Sequence, residues 1–350
     1  MFIYYRLICL VFISLFLLPT PLWAEPIISP DLQIEGNMRL SAGFSPSYVM
    51  VEKIRLSARA KENLSKRATY FPYLTTNFKQ GIPLPSKIDL GMNGVPVLDQ
   101  GLHGTCVTFA MTAALDAIIS QGDYISQLCN LELGEYLALQ DPAYPSGWEG
   151  SYGDIVLNQI KKYGAISQTY QKYQGCAGTY TYPAQNQYNI GNPMSGDAFS
   201  GHSEAIMQNV TWQTLLSSEQ SVTSVISSAK LLQAVKQALQ RHHRVVGGFF
   251  LDVNNGGAGN FGTYHVPNDS WIIVPSIQKD IKQGNIMAGH EMVIAGYDDN
   301  AILTGPNHIR EKGAFLLRNS WGMTGDQGTY YVSYHYFQKM VMEIHEIITH

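Results

Sequence analysis

The chain has 350 residues, of which 45% are hydrophobic and 14% charged, and its formal net charge is −4. That composition can bury a full core in one large domain or two lobes, and it excludes an extended disordered chain. The mild acidity offers no electrostatic footprint for nucleic acid, so no nucleic-acid partner is expected.

In chain order, the stretch "YYRLICLVFISLFLLPTPLWA" carries one cation, Arg6, an apolar run from Leu7 to Leu18, and Ala24. It reads as a Sec signal peptide over residues 1–24. The alternative is an uncleaved anchor, but the run is too short to span a bilayer comfortably. No later segment is apolar enough to cross a membrane, so the expected product is exported, secreted or periplasmic, without stable membrane association. Residues 25–84 differ in composition from the remainder of the chain, and Val49, Leu56, Ala60 and Leu64 share one face of a predicted basic amphipathic helix over about 47–67. Between Glu52 and Arg67 that helix carries six cations against two acids, a net of +4. It is expected either to dock on an acidic surface of the rest of the protein or to stay solvated.

Prolines 83, 85 and 96 keep the next stretch extended. A helix opens at Cys106, with Phe109, Ala110, Ala113, Ala117 and Ile118 at helical spacing and Gly122 at its end. Two more helices are predicted in "NLELGEYLALQD" and "GDIVLNQIKKYG", then a patternless excursion from Gly178 to Gly201 and a helix in "SAKLLQAVKQALQRHH". Strands come next in "RVVGGFFLDV", "SWIIVPSI", "HEMVIAGYDD", "GAFLLRNSW", "GTYYVSYHYF" and "MEIHEIIT". A helical lobe over about 100–220 followed by a β lobe over about 225–340 is an α+β architecture.

Loss of the signal removes Cys9 and leaves Cys106, Cys129 and Cys176, a count that suits one disulfide and one free thiol in an oxidising compartment. Cys129 with Cys176 is the expected pair. The alternative that none is bridged stays open, because connectivity cannot be read from spacing.

Three segments present chemistry at the edges of regular elements. At the start of a helix the macrodipole and unpaired amides favour a thiolate, and periodicity leaves Cys106 at that exposed positive end. Gln100 on the extended approach offers a side-chain donor for an oxyanion, and Gly101 and Gly104 allow close approach. In "AGHEMVIAGYDD", His290 comes after Gly289 at the start of a strand, and in "FLLRNSWG" Asn319 closes a strand beside Trp321. A cysteine nucleophile needs an acid/base partner, and that partner needs an acceptor that fixes its tautomer.

The blocks "PVLDQGLHGTCVTFAMTAALD", "AGHEMVIAGYDD" and "FLLRNSWGMTGDQGTYYVSY" resemble the signature blocks of papain-like cysteine proteases over roughly Leu84 to Phe337. The resemblance implies a two-lobed fold with a cleft between a helical lobe and an antiparallel, barrel-like β lobe. It implies Cys106 as nucleophile, His290 as acid/base, Asn319 as orienting residue, Gln100 with the Cys106 amide as oxyanion hole, and Trp321 as cover over the His/Asn bond. It further implies a zymogen: residues 25–84 would block the cleft of a catalytic domain spanning 85–350, so the expected partners are a peptide or protein substrate and the chain's own N-terminal segment. The expected product is a monomeric endopeptidase without a cofactor.

The sequence also departs from the family. His103 stands where a disulfide cysteine is usual and is placed with Gly104 and Gly289 beside the cleft; a second acid/base or a metal ligand is its alternative role, but one nearby thiol is too few for zinc. Val107 replaces a tryptophan, and the interval from Cys106 to His290 is 290 − 106 = 184 residues, longer than the roughly 130–150 usual for the family. Two other readings share these residues: a catalytically silent peptide-binding protein of the same fold, and a transglutaminase-like acyl transferase, against which Asn319 counts.

Overall fold

The structure is a computed structural model and describes residues 29–41, 48–70, 84–185, 193–224, 226–254 and 257–349. The signal-peptide reading of residues 1–24 falls outside these. Ten strands form one sheet: β1 Leu32–Ser41, β2 Tyr48–Leu56, β3 Lys87–Asp89, β4 Val210–Leu216, β5 Arg244–Leu251, β6 Ser270–Trp271, β7 Ala288–Thr304, β8 Arg310–Arg318, β9 Thr329–Ser333 and β10 Val341–Thr349. Their order is β4-β10-β5-β7-β8-β9-β6, with the β1–β2 hairpin and β3 both attached to β7. All the strand pairs are antiparallel except β6 with β9. Helices α2 (Cys106–Ile119), α3 (Gln127–Gln140) and α4 (Gly153–Tyr163) build the helical lobe, and α2 packs on β7, β5 and β10. The architecture is α+β with two lobes, as the sequence predicts. No helix among the described residues is long and apolar enough to cross a membrane.

Long strands arise from composition. β5 reads RVVGGFFL and is buried along its whole length, because β7 and β10 pair with its two edges and helices, α2 among them, pack against it. α2 owes its place to Val107, Ala110, Ala113 and Ala117, all buried against Val246, Val293 and Ile347.

Three expectations require correction. The helix predicted over 47–67 is a strand followed by a helix: Tyr48–Leu56 is β2, and α1 spans Ala58–Tyr70. Apolar residues at 49, 51, 54 and 56 suit a strand once a partner exists, and β1 supplies it with Val51 opposite Met38 and Val49 opposite Leu40. The helix starts where the Ser57 hydroxyl accepts the Ala60 amide at 3.1 Å. Second, "SWIIVPSI" yields only the two-residue β6 before Pro275 opens the helix Pro275–Gln283, and "GTYYVSYHYF" stops at Ser333, whose hydroxyl caps the helix Tyr334–Met340. Third, the lobe boundaries shift, since β4 at Val210–Leu216 belongs to the sheet and β10 runs on to Thr349.

The basic segment does not dock through charge. Arg59 pairs with Asp31, Arg55 and Lys53 with Glu35 and Lys66 with Glu62, so four of its six cations meet acids of the segment itself. Docking is apolar: Ala60, Leu64 and Ala68 on α1, with Val49, Val51, Ile54 and Leu56 on β2, join the same buried cluster as the β-lobe core. Polar pins include the buried Arg67, whose Nη1 donates to the Val341 carbonyl at 2.9 Å, and Asn63, whose Nδ2 donates to the Val222 carbonyl at 2.8 Å.

Candidate active site

Cys106 is the first residue of α2 and is fully buried. The expectation that it stands exposed is therefore corrected, because β2 lies across the helix end. Burial, and then the neighbouring Glu52 carboxylate, push the thiol well above its ordinary pKa, although the backbone amides of Glu291 and Val107 act in the opposite direction. In this covered state the helix dipole does not deliver a thiolate. Cys129 and Cys176 form the expected disulfide, with Cα atoms 5.1 Å apart, and Cys106 is a free cysteine.

His290 lies near the start of β7, opposite Phe249 on β5, so it stands inside the sheet rather than at a free edge. Its Nε2 is 2.7 Å from Asn319 Oδ1. Trp321 stacks on the imidazole with ring centroids 4.2 Å apart and planes 20° from parallel, shielding that bond. Asn319 comes directly after β8 and is held by its amide donating to the Gly328 carbonyl at 3.0 Å. The other imidazole nitrogen, Nδ1, is buried without a hydrogen-bond partner among the described residues. Burial lowers the His290 pKa to about 4, a shift that the Asn319 bond opposes. The imidazole is therefore neutral while the cleft is covered.

Gln100 is held on three sides. Its amide donates to the Ser320 carbonyl at 2.8 Å, its Oε1 accepts the Ser320 hydroxyl at 2.7 Å, and its own carbonyl accepts the Tyr182 hydroxyl at 2.9 Å. These contacts aim Nε2 at the His103 carbonyl, 2.8 Å away, and at the Met50 carbonyl, 3.3 Å away. Met50 belongs to β2, and Trp321 Nε1 donates to the same carbonyl at 3.2 Å. The donor that the family resemblance assigns to an oxyanion thus contacts a carbonyl of the chain's own hairpin.

Not every predicted residue joins this group. His103 turns away: its Nε2 meets the Pro183 carbonyl at 2.8 Å, and its ring lies edge-on to Trp148 and Tyr182. It ties the approach loop to the 180s excursion, and only its carbonyl touches Gln100. Gly104 permits contact with the hairpin, since a Cβ there would lie 2.8 Å from Asn37 Cβ on β1. Gly289 pairs with Glu52 of β2, and the Ile54 amide donates to the Met287 carbonyl at 2.8 Å, so the hairpin extends the sheet across the cleft. Beside the hairpin a cleft of about 670 Å³ stays open, lined in part by Arg39, Tyr48, Asp99, Leu102, Trp321 and Met323.

Sequence reasoning missed Met50, Glu52, Ser320 and Tyr182. Ser320 sits inside the quoted "NSWG" block and could have been found as the hydroxyl next to the orienting asparagine. A signal for Glu52 was its position as a lone acid in an apolar, basic stretch. Met50 acts through its backbone, which no residue identity announces.

No protein-family model matches the chain, and no curated protein matches it. Solved structures similar to it include xylellain, a cysteine protease from Xylella fastidiosa, at 19% identity over 77% of this chain and 87% of that one, with a TM-score of 0.46. Digestive procathepsin L 3 of the Tenebrio molitor larval midgut is similar at 16% identity over 81% and 78%, with a TM-score of 0.44. The proform of the ragweed pollen cysteine protease Amb a 11 is similar at 17% identity over 84% and 75%, with a TM-score of 0.45.

Proposed function

We propose that the chain is an exported cysteine peptidase of papain-like geometry, made in a latent form in which strands β1 and β2 fill its own cleft. The observation that carries this reading is the shielded His290–Asn319 bond, whose Nδ1 has no partner among the described residues, with the backbone amide of the next residue, Glu291, reaching the Cys106 thiol at the start of α2.

Once the hairpin leaves, water reaches Cys106 and His290, and the desolvation that holds both neutral is relieved. The thiol proton passes to His290, forming a thiolate–imidazolium pair favoured by the start of α2. The thiolate attacks a substrate carbonyl carbon, and the developing oxyanion takes the place of the Met50 carbonyl at Gln100 Nε2. His290 protonates the leaving amine, giving an acyl-thioester on Cys106. It then takes a proton from water, which attacks the thioester and frees the acid. Asn319 holds the imidazole in the required tautomer throughout.

The covered cleft also suits a protein that only holds peptides, and one experiment separates the two. The chain freed of residues 25–84 is expected to cleave a generic peptide and to be labelled at Cys106 by an epoxide, whereas Cys106→Ala should do neither. Persistent cleavage by Cys106→Ala would overturn the assignment, and absence of labelling in a folded, freed chain would favour the silent binder.

A further inference from the structure

A second buried polar group lies between the sheet and the helical lobe. Glu291 on β7 and Glu343 on β10 stand two strands apart, and both are registered opposite Gly248 of β5. A Cβ at Gly248 would lie 3.0 Å from Glu343 Cγ, so the missing side chain is what lets the two carboxylates meet across the middle strand. His345, two residues along β10, points to the same face. One ligand atom from each of Glu291, Glu343 and His345 lies within 4.8 Å of the others, and all three residues are buried.

The hydrogen bonds around His345 fix its tautomer. Thr214 Oγ1 donates to Asp154 Oδ1 at 2.7 Å, which leaves its oxygen to accept from His345 Nδ1 at 3.2 Å. Nδ1 therefore carries a proton, and Nε2 faces Glu343 Oε2 at 3.4 Å, an ion-pair distance without hydrogen-bond geometry. Nε2 and both Glu291 carboxylate oxygens have no hydrogen-bond partner among the described residues.

An independent observation comes from another part of the chain. Glu52 of the hairpin is fully buried; its Oε1 accepts the Ser151 amide at 2.9 Å, while its Oε2 has no partner among the described residues. That Oε2 lies 3.5 Å from where a Cβ on Gly289 would be, on the face of β7 that Glu291 shares. Glu343 Oε1 accepts the Gly153 amide at 3.2 Å, but both Glu291 oxygens and, beside them, Glu52 Oε2 have no donor among the described residues, an arrangement that is costly unless a proton or a cation fills it.

We propose that Glu291, Glu343 and His345 bind a divalent cation of the zinc class, with Glu52 completing the set from the hairpin, so that the cation fastens the hairpin in the cleft. Carboxylates with a neutral imidazole are a zinc donor set, and the Asp154–Thr214 pair behind His345 is the outer support such a ligand needs. The proposal does not depend on peptidase activity.

The test uses the full chain carrying Cys106→Ala, which removes the nearby thiol as a rival ligand. After dialysis against a chelator, titration with zinc chloride is expected to load about one equivalent and to raise Tm. Glu343→Gln and His345→Gln in that background should abolish loading. Because those variants can misfold, Thr214→Val at a half-buried site provides a milder test, with an expected loss of about 10- to 100-fold in affinity. Glu52→Gln should weaken zinc binding and accelerate proteolysis of β2. No zinc uptake by the folded Cys106→Ala chain, or uptake unchanged in both Thr214→Val and Glu52→Gln, would overturn the proposal and leave protons as the occupants of the cluster.

Discussion

If apolar docking of α1 keeps the cleft covered, shortening Leu64 should open it. Leu64 is fully buried within the cluster that α1 shares with the β lobe, and truncating a buried leucine to alanine costs about 2–5 kcal/mol. Leu64 lies on the N-terminal segment, so that loss falls on the docked state. At about 1.4 kcal/mol per tenfold, the open fraction should rise by about 30-fold to several thousand-fold. The assay is the rate of Cys106 alkylation by iodoacetamide under native conditions, tracked on the Cys106 peptide by mass spectrometry. Cys129 and Cys176 do not compete because they are disulfide-bonded. A matched control is Leu133→Ala on α3, which removes an equally buried leucine from a separate apolar cluster. It should lower Tm and leave the alkylation rate unchanged. An unchanged rate in Leu64→Ala, or an equal acceleration in Leu133→Ala, would refute the reasoning.

Three further outcomes are expected. Because Lys53, Arg55, Arg59 and Lys66 pair with Asp31, Glu35 and Glu62 of their own segment and no ion pair is seen from the segment to the rest of the described residues, raising salt from low to high should change Cys106 alkylation by no more than about twofold; a steep salt dependence would restore the charge-docking view. Gln100→Ala in the freed chain should lower kcat by about 10²–10³-fold with little change in Cys106 labelling, a split that steady-state kinetics beside probe labelling would reveal. Burial raises the Asp116 pKa to about 8, against the amides of Tyr124 and Ile125 that favour its charge. Its neutral form is thus the one the folded state prefers, so the contribution of this one group to stability is fully present below pH 4 and falls by up to about 1.4 kcal/mol per unit as pH rises from about 4 to about 8. Asp116→Asn should flatten that stretch of a Tm-against-pH curve.

The site was legible where chemistry is tied to local pattern. Cys106 opens a helix whose 3.6-residue period is plain, and Asn319 and Trp321 sit in one short block; Gln100 was equally visible on the approach to Cys106. The cover was not legible, because residues 48–56 satisfy two patterns. Val49, Leu56, Ala60 and Leu64 fit one helical face, whereas burial at 49, 51, 54 and 56 needs β1 and β7 as partners, and those contacts are distant in sequence. His103 was misplaced for the same reason: its partners, Trp148 and Pro183, lie 45 and 80 residues further on. The Glu291–Glu343 meeting depends on register across Gly248, which no single segment encodes.

The position of β10 bears on when this protein can fold. That strand lies between β4 and β5, yet it comes about ninety residues after β5 in the chain. As residues emerge from the ribosome, β5 therefore waits with one flank unpaired until residues 341–349 arrive, and the floor beneath α2 is incomplete until then. Ribosome-bound chains halted before residue 341 should be digested readily by protease, whereas chains extended far enough to expose residue 349 should resist.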